Sequence, residues 1–146
     1  MFFGIFWFGG TLFANFVIGP AAARSLPASQ ADMGAQIGIQ ADRIIRPVAA
    51  LTIILGFLRG TVWGPIKSVG DVFNLGYGHW WLIALLMAVA TFGWAESMTA
   101  PAARAIATVP DAQRPAQIQR TIRRAMVELL GFATILSMMV LMRFNV

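Results

Sequence analysis

The chain contains no cysteine, which excludes disulfides, thiolate metal sites and thiol nucleophiles. Histidine is almost as scarce, with His79 standing alone. One imidazole cannot ligate haem from both sides or build a nitrogen-rich copper or zinc site by itself. Charge is thin as well: Asp, Glu, Lys and Arg make up 12% of the residues, against about 25% in a soluble domain. There is no phosphate-binding glycine loop, no zinc-helix motif and no serine–histidine pair that stands out. These absences leave no catalytic constellation, no metal site and no identifiable cofactor, and they argue against a water-soluble core.

Apolar sequence takes the place of what is missing. Hydrophobic residues account for 58% of the 146 positions, and the mean hydropathy is +0.72. Four apolar stretches divide the chain: Phe2 to Ala23, Pro47 to Trp63, Trp80 to Ala100 and Met126 to Met142. Each approaches the roughly 20 residues that a helix rising ~1.5 Å per residue needs to cross ~30 Å of hydrocarbon. The expected fold is all-α: a polytopic membrane protein with four transmembrane helices in one domain, residues 1–146. The first stretch has no basic region ahead of it and reads as a retained span rather than a secretory signal, although Gly19-Pro20-Ala21-Ala22-Ala23 resembles a small-residue cleavage site.

If all four stretches cross, the basic residues separate by side. Arg24, Arg43, Arg46, Arg104, Arg114, Arg120, Arg123 and Arg124 fall on one side, and Arg59, Lys67 and Arg143 on the other. The arginine-rich side is then cytoplasmic, and both termini lie outside. Trp7, Trp63, Tyr77, Trp80 and Trp81 gather near the opposite boundary, where amphipathic rings favour the interface. The expected location is a bacterial inner membrane, with connections 24–46 and 104–124 cytoplasmic. Gly64 to Gly78 is rich in turn residues and reads as an outer loop. Ser29 to Arg43 and Asp111 to Met126 carry apolar residues at helical spacing, consistent with amphipathic helices that lie at the interface or extend the next span inward. The formal charge of +5 is accounted for by this asymmetry, so nucleic acid is not the expected partner.

An offset of 81 residues aligns Gly19-Pro20-Ala21-Ala22 with Ala100-Pro101-Ala102-Ala103 and Arg43 with Arg124. The chain thus reads as two tandem, similar hairpins, about 1–66 and 79–146, related by an axis along the membrane normal. The same offset pairs Asn15 with Glu96 at one depth, and Arg46 and Glu128 lie close to that level. Asn15, Arg46, Glu96 and Glu128 form the candidate polar intramembrane cluster, suited to an ion, a proton or an anionic headgroup. A carboxylate at that depth is expected to pair, and for Glu96 the candidates are Arg46 and Arg124. The alternative role of these charges is mutual neutralisation and helix register.

Gly56, Gly60 and Gly64 make a smooth strip on the second stretch, where a helix of this chain or of a neighbouring subunit can pack. Arg59 beside it is expected to reach for the outer surface. Met138, Met139 and Met142 read as gap-filling apolar contacts.

The run Phe6-Trp7-Phe8-Gly9-Gly10-Thr11-Leu12-Phe13-Ala14-Asn15-Phe16-Val17-Ile18-Gly19-Pro20-Ala21 resembles the first helix of the copper-resistance-D-like families and related small bacterial membrane proteins of unknown function. The resemblance covers the first hairpin best and implies a four-helix unit. A histidine commonly precedes the tryptophan in those families, whereas here none occurs before His79, so copper or haem ligation does not carry over. Two functions are expected from these features. One is an accessory or structural subunit of a larger respiratory or photosynthetic membrane complex, with the bilayer, other membrane subunits or a second copy as partners. The other is a small ion or metal transporter or channel centred on the polar cluster. Phe2, Phe3, Phe6, Trp7, Trp80 and Trp81 could also supply a contact surface for a bound lipid, quinone or pigment.

Overall fold

The computed structural model describes residues 2–74 and 76–144. Every regular element among them is helical. Four helices are long and apolar enough to cross a membrane: α1 (Phe2–Ala23), α2 (Ser29–Thr61), α3 (Gly76–Ala105) and α4 (Asp111–Phe144). With 33, 30 and 34 residues, α2, α3 and α4 run about 45–50 Å and exceed the hydrocarbon thickness. The expected amphipathic stretches, Ser29 to Arg43 and Asp111 to Met126, are the leading turns of α2 and α4. They extend the spans instead of forming separate interfacial helices.

Three of the four helices contain one π-helical turn: Ala14–Ile18 in α1, Ala41–Ile45 in α2 and Ala95–Thr99 in α3. Each turn ends two residues before a proline, at Pro20, Pro47 and Pro101. Proline lacks an N–H, and its ring clashes with the carbonyl four residues back. Widening the turn ahead of it moves that carbonyl aside, and the N–H groups of Gly19 and Ala100 accordingly reach back five residues, to the carbonyls of Ala14 and Ala95. Helix α4 carries its proline, Pro115, near its start, where no donor is required, and it runs as an uninterrupted α-helix from Arg114 to Phe144.

The helices pack in a ring, α1 on α2, α2 on α3, α3 on α4 and α4 on α1, with the α3–α4 contact the most extensive. Small residues permit that closeness: a side chain on Gly131 of α4 would collide with Thr91 of α3. Trp7, Ala49 and Phe132 form the core, flanked by Phe8, Ile45, Val48, Phe92 and Ile135. The Trp7 ring meets Phe132 edge-on at 4.7 Å between centroids and Phe92 at 6.3 Å, a favoured geometry for aromatic pairs. This corrects the placement of Trp7 on an aromatic belt. At 2% exposure it is a central packing residue, and with Trp81 also buried the proposed aromatic surface loses two of its six members.

The glycine strip is used within the chain. Trp81 of α3 lies so close over Gly60 that any side chain there would collide with the indole, and its Nε1 donates to the Gly56 carbonyl at 3.2 Å. Gly64 closes the turn after α2, where a side chain would strike the carbonyls of Arg59 and Gly60, while the space beside Gly56 is open. Lys67 donates to the carbonyls of Thr61 and Val62 at the C-terminal end of α2, and Arg59 donates to the Trp63 carbonyl just beyond it. The expected outer loop contains a short helix, Val69–Asn74. Asp71 Oδ2 accepts from the Ser68 and Lys67 N–H groups, and Ser68 Oγ accepts from the Asp71 N–H. This reciprocal capping box holds structure in a segment whose glycines suggest only turns.

At the arginine-rich end, buried polar side chains hold the two connections. Gln30 donates to the carbonyls of Ala23 and Ser25. Arg114, 5% exposed, donates to the carbonyls of Ile106 and Val109 and pairs with Asp111 at 2.7 Å.

Candidate functional site

Asn15, Arg46, Glu96 and Glu128 come from four different helices and line one cavity of about 260 Å³ between them. Counted along their helices, they lie roughly 20–30 Å from the aromatic-rich ends, so the shared depth read from the sequence corresponds to a shared space. Trp7, Ala49 and Phe92 wall the cavity toward the aromatic end, and Gly34, Ile106 and Ile118 toward the arginine-rich end.

Each polar residue has a distinct environment. Asn15 sits in the π turn of α1, is buried at 6% exposure and donates its amide to the Thr11 carbonyl at 2.8 Å. Glu96 occupies the equivalent second position in the π turn of α3, yet its carboxylate reaches α2. Arg46 Nε donates to Glu96 Oε1 at 2.9 Å and Nη2 to Oε2 at 2.6 Å, a bidentate pair of the strong kind. Of the two expected partners, the structure selects Arg46. Arg124 donates instead to the Met98 carbonyl at 2.9 Å, satisfying a main-chain acceptor beside the proline-widened turn of α3.

The pair belongs to a larger network that the sequence reading does not contain. Arg104 of α3 makes its own bidentate contact with Asp42 of α2, at 3.1 and 2.8 Å, and Asp42 also lies 3.4 Å from Arg46. Asp42 and Arg46 are one helical turn apart, a spacing that signals a same-face pair. Arg104 carries no such signal, because its partner is 62 positions away. Arg46, Glu96, Asp42 and Arg104 have side chains 34–47% exposed, and the first three also line the cavity. The network therefore bridges α2 and α3 where the cavity meets the surface.

Glu128 differs from the rest. It is 6% exposed, and its Oε1 is buried without a hydrogen-bond partner. Among the described residues no cation pairs with it, since the ion pairs of Arg46, Arg104 and Arg114 involve other carboxylates. Thr99 Oγ1 is likewise buried without a hydrogen-bond partner. Both residues face the cavity. An unpaired buried carboxyl is expensive and makes this wall the chemically open part of the site.

No group of three or more metal-ligating side chains occurs among the described residues. His79 lies at the far end of α3, exposed and 6.5 Å edge-on from Phe73. The arrangement can bind a small guest through hydrogen bonds and charge. No family model, curated protein or solved structure matches the chain.

Proposed function

We propose that the protein is a non-catalytic integral membrane protein of a bacterial inner membrane that carries a small ion or solute through the polar site between its helices. Glu128 carries this reading: a buried carboxyl with an unsatisfied oxygen on the wall of a cavity shared by four helices. Ionisable residues facing a bundle interior mark ion and solute paths in membrane helices. The arginine and aromatic biases support an orientation with both termini outside and connections 24–46 and 104–124 cytoplasmic. In that orientation the cavity belongs to the cytoplasmic half, and the Trp7–Phe92–Phe132 cluster seals it from the other side. Passage requires this cluster to part, and the three π turns, where the hydrogen-bond ladder is interrupted, are its hinges. Tandem hairpins are supported by the π turns at Ala14–Ile18 and Ala95–Thr99, spaced by the 81-residue offset and each followed by a proline–alanine pair.

Flux assays on liposomes containing the purified protein test the reading, with protons and a panel of alkali cations as probes. Flux that disappears in Glu128→Gln is the expected result. Wild-type protein that moves none of the probes would reject transport of these ions.

A second reading, an accessory subunit of a larger membrane assembly, is favoured by one observation. Gly56 faces open space on α2, leaving a smooth site on which a helix from another subunit can pack. Purification in mild detergent should then retain a partner that Gly56→Leu releases, and an isolated monomer would count against it.

A further inference from the structure

The cavity's charge, polarity and size together narrow what it accepts. The bridging network is neutral, because Arg46 and Arg104 offset Asp42 and Glu96. Among the described residues, Glu128 is then the carboxyl on the cavity wall that no cation offsets. Arg124, one turn before it, is committed to the Met98 carbonyl. Nearby polar side chains offer acceptors. One N–H of the Asn15 amide is bound to the Thr11 carbonyl, which leaves the side-chain oxygen and the second N–H for a guest. The Thr99 hydroxyl oxygen is unpartnered. A carboxylate, an amide oxygen and a hydroxyl oxygen match the three donors of an ammonium group. Among the described residues no group of three or more His, Cys, Asp or Glu side chains is placed to hold a metal ion, and an anion would face the Glu128 carboxyl, which no described cation pairs.

Size and walls point the same way. Beyond these polar atoms the lining is apolar, including Trp7, Ala49, Phe92, Ile118 and Ala125. A dry cavity of about 150 Å³ accommodates benzene, and one of about 260 Å³ takes a guest of roughly ten heavy atoms by that scale.

We propose that the cavity binds a small organic monocation, a primary ammonium on an apolar body of that size. The ammonium sits against Glu128, Asn15 and Thr99, and the body lies toward Trp7 and Phe92. This assignment rests on the proposed function and names its solute class.

The test uses the full chain in nanodiscs of zwitterionic lipid, with empty nanodiscs as reference, and compares phenethylammonium, 2-phenylethanol and phenylacetate by calorimetry. These probes share a body and differ in charge. Phenethylammonium should bind about tenfold or more tightly than the alcohol, the scale of one charge-assisted hydrogen bond, and phenylacetate should not bind. Glu128→Gln should abolish the preference for ammonium over the alcohol. Asn15→Leu should reduce the preference, and it decides the question if Glu128→Gln does not fold. Equal affinity for the ammonium and the alcohol, or a preference that survives the substitution, overturns the assignment. Glu128-dependent flux of protons or alkali cations without any ammonium preference would remove this inference and leave the proposed function standing. Ammonium binding with no flux of any probe, including phenethylammonium, would remove the function and leave the site.

Discussion

Gly56 and Gly60 stand one turn apart on α2 in opposite surroundings, so alike residues should respond differently to substitution. Gly60→Leu forces the indole of Trp81 away and separates α2 from α3, an overpacking cost of roughly 1–3 kcal/mol. Gly56→Ala meets no neighbour and should gain about 0.5–1 kcal/mol from the better helix former. Thermal unfolding in detergent checks both signs. Asp71 yields a pH prediction. Backbone N–H groups, that of Lys67 first and then Ser68, hold its carboxyl below the ordinary value. A lowered folded value means that its contribution is complete above the ordinary carboxylate range and is lost as pH falls through the folded value. Amides of residues 67–74 should therefore lose protection against hydrogen exchange below about pH 4, after correction for the intrinsic rate. In Asp71→Asn this pH dependence should vanish.

At the scale of elements, the three π turns have a common cause in the proline that follows each and a common consequence in weakened ladders. Amides within and just after Ala14–Ile18, Ala41–Ile45 and Ala95–Thr99 should exchange faster than those of the flanking α-helical turns, because these segments open at lower free energy. The corresponding stretch of α4, residues 122–126, lies in unbroken α-helix and should stay protected. Uniform protection along α1, α2 and α3 would show that the widened turns are as rigid as their surroundings. The pairing of α2 with α3 near these turns depends on Asp42, which serves both Arg46 and Arg104. Asp42→Asn should accordingly lower the unfolding temperature more than Glu96→Gln, which removes one arginine contact.

The whole molecule is held by contacts that converge on Trp7. Its ring touches residues of α3 and α4 and packs with Ala49 of α2, so one side chain of α1 joins all four helices. Trp7→Ala should cost about 3 kcal/mol or more, the scale for emptying a large aromatic site, and should open the cavity toward the aromatic end. Reduced unfolding temperature together with increased leak through liposomes would record both effects, whereas Trp7→Phe should preserve most of the stability. Destabilisation without leak would show that the cluster is packing alone and not a seal.

Helical class, the number of spans, the candidate polar residues and the positions of the prolines are legible along the chain, because each depends on neighbours in sequence. Hydropathy sums over a stretch, a helix satisfies its backbone within itself, and a proline perturbs its own turn. The level shared by Asn15, Arg46, Glu96 and Glu128 follows from a constant rise per residue. Tertiary packing decided what no local pattern encodes: that Trp7 turns inward, that Asp42 meets Arg104 across 62 positions, and that Arg46 takes Glu96 while Glu128 is left without a cation. Those outcomes depend on which helix faces meet and how each helix is rotated, and rotation is fixed by side chains contributed from distant segments.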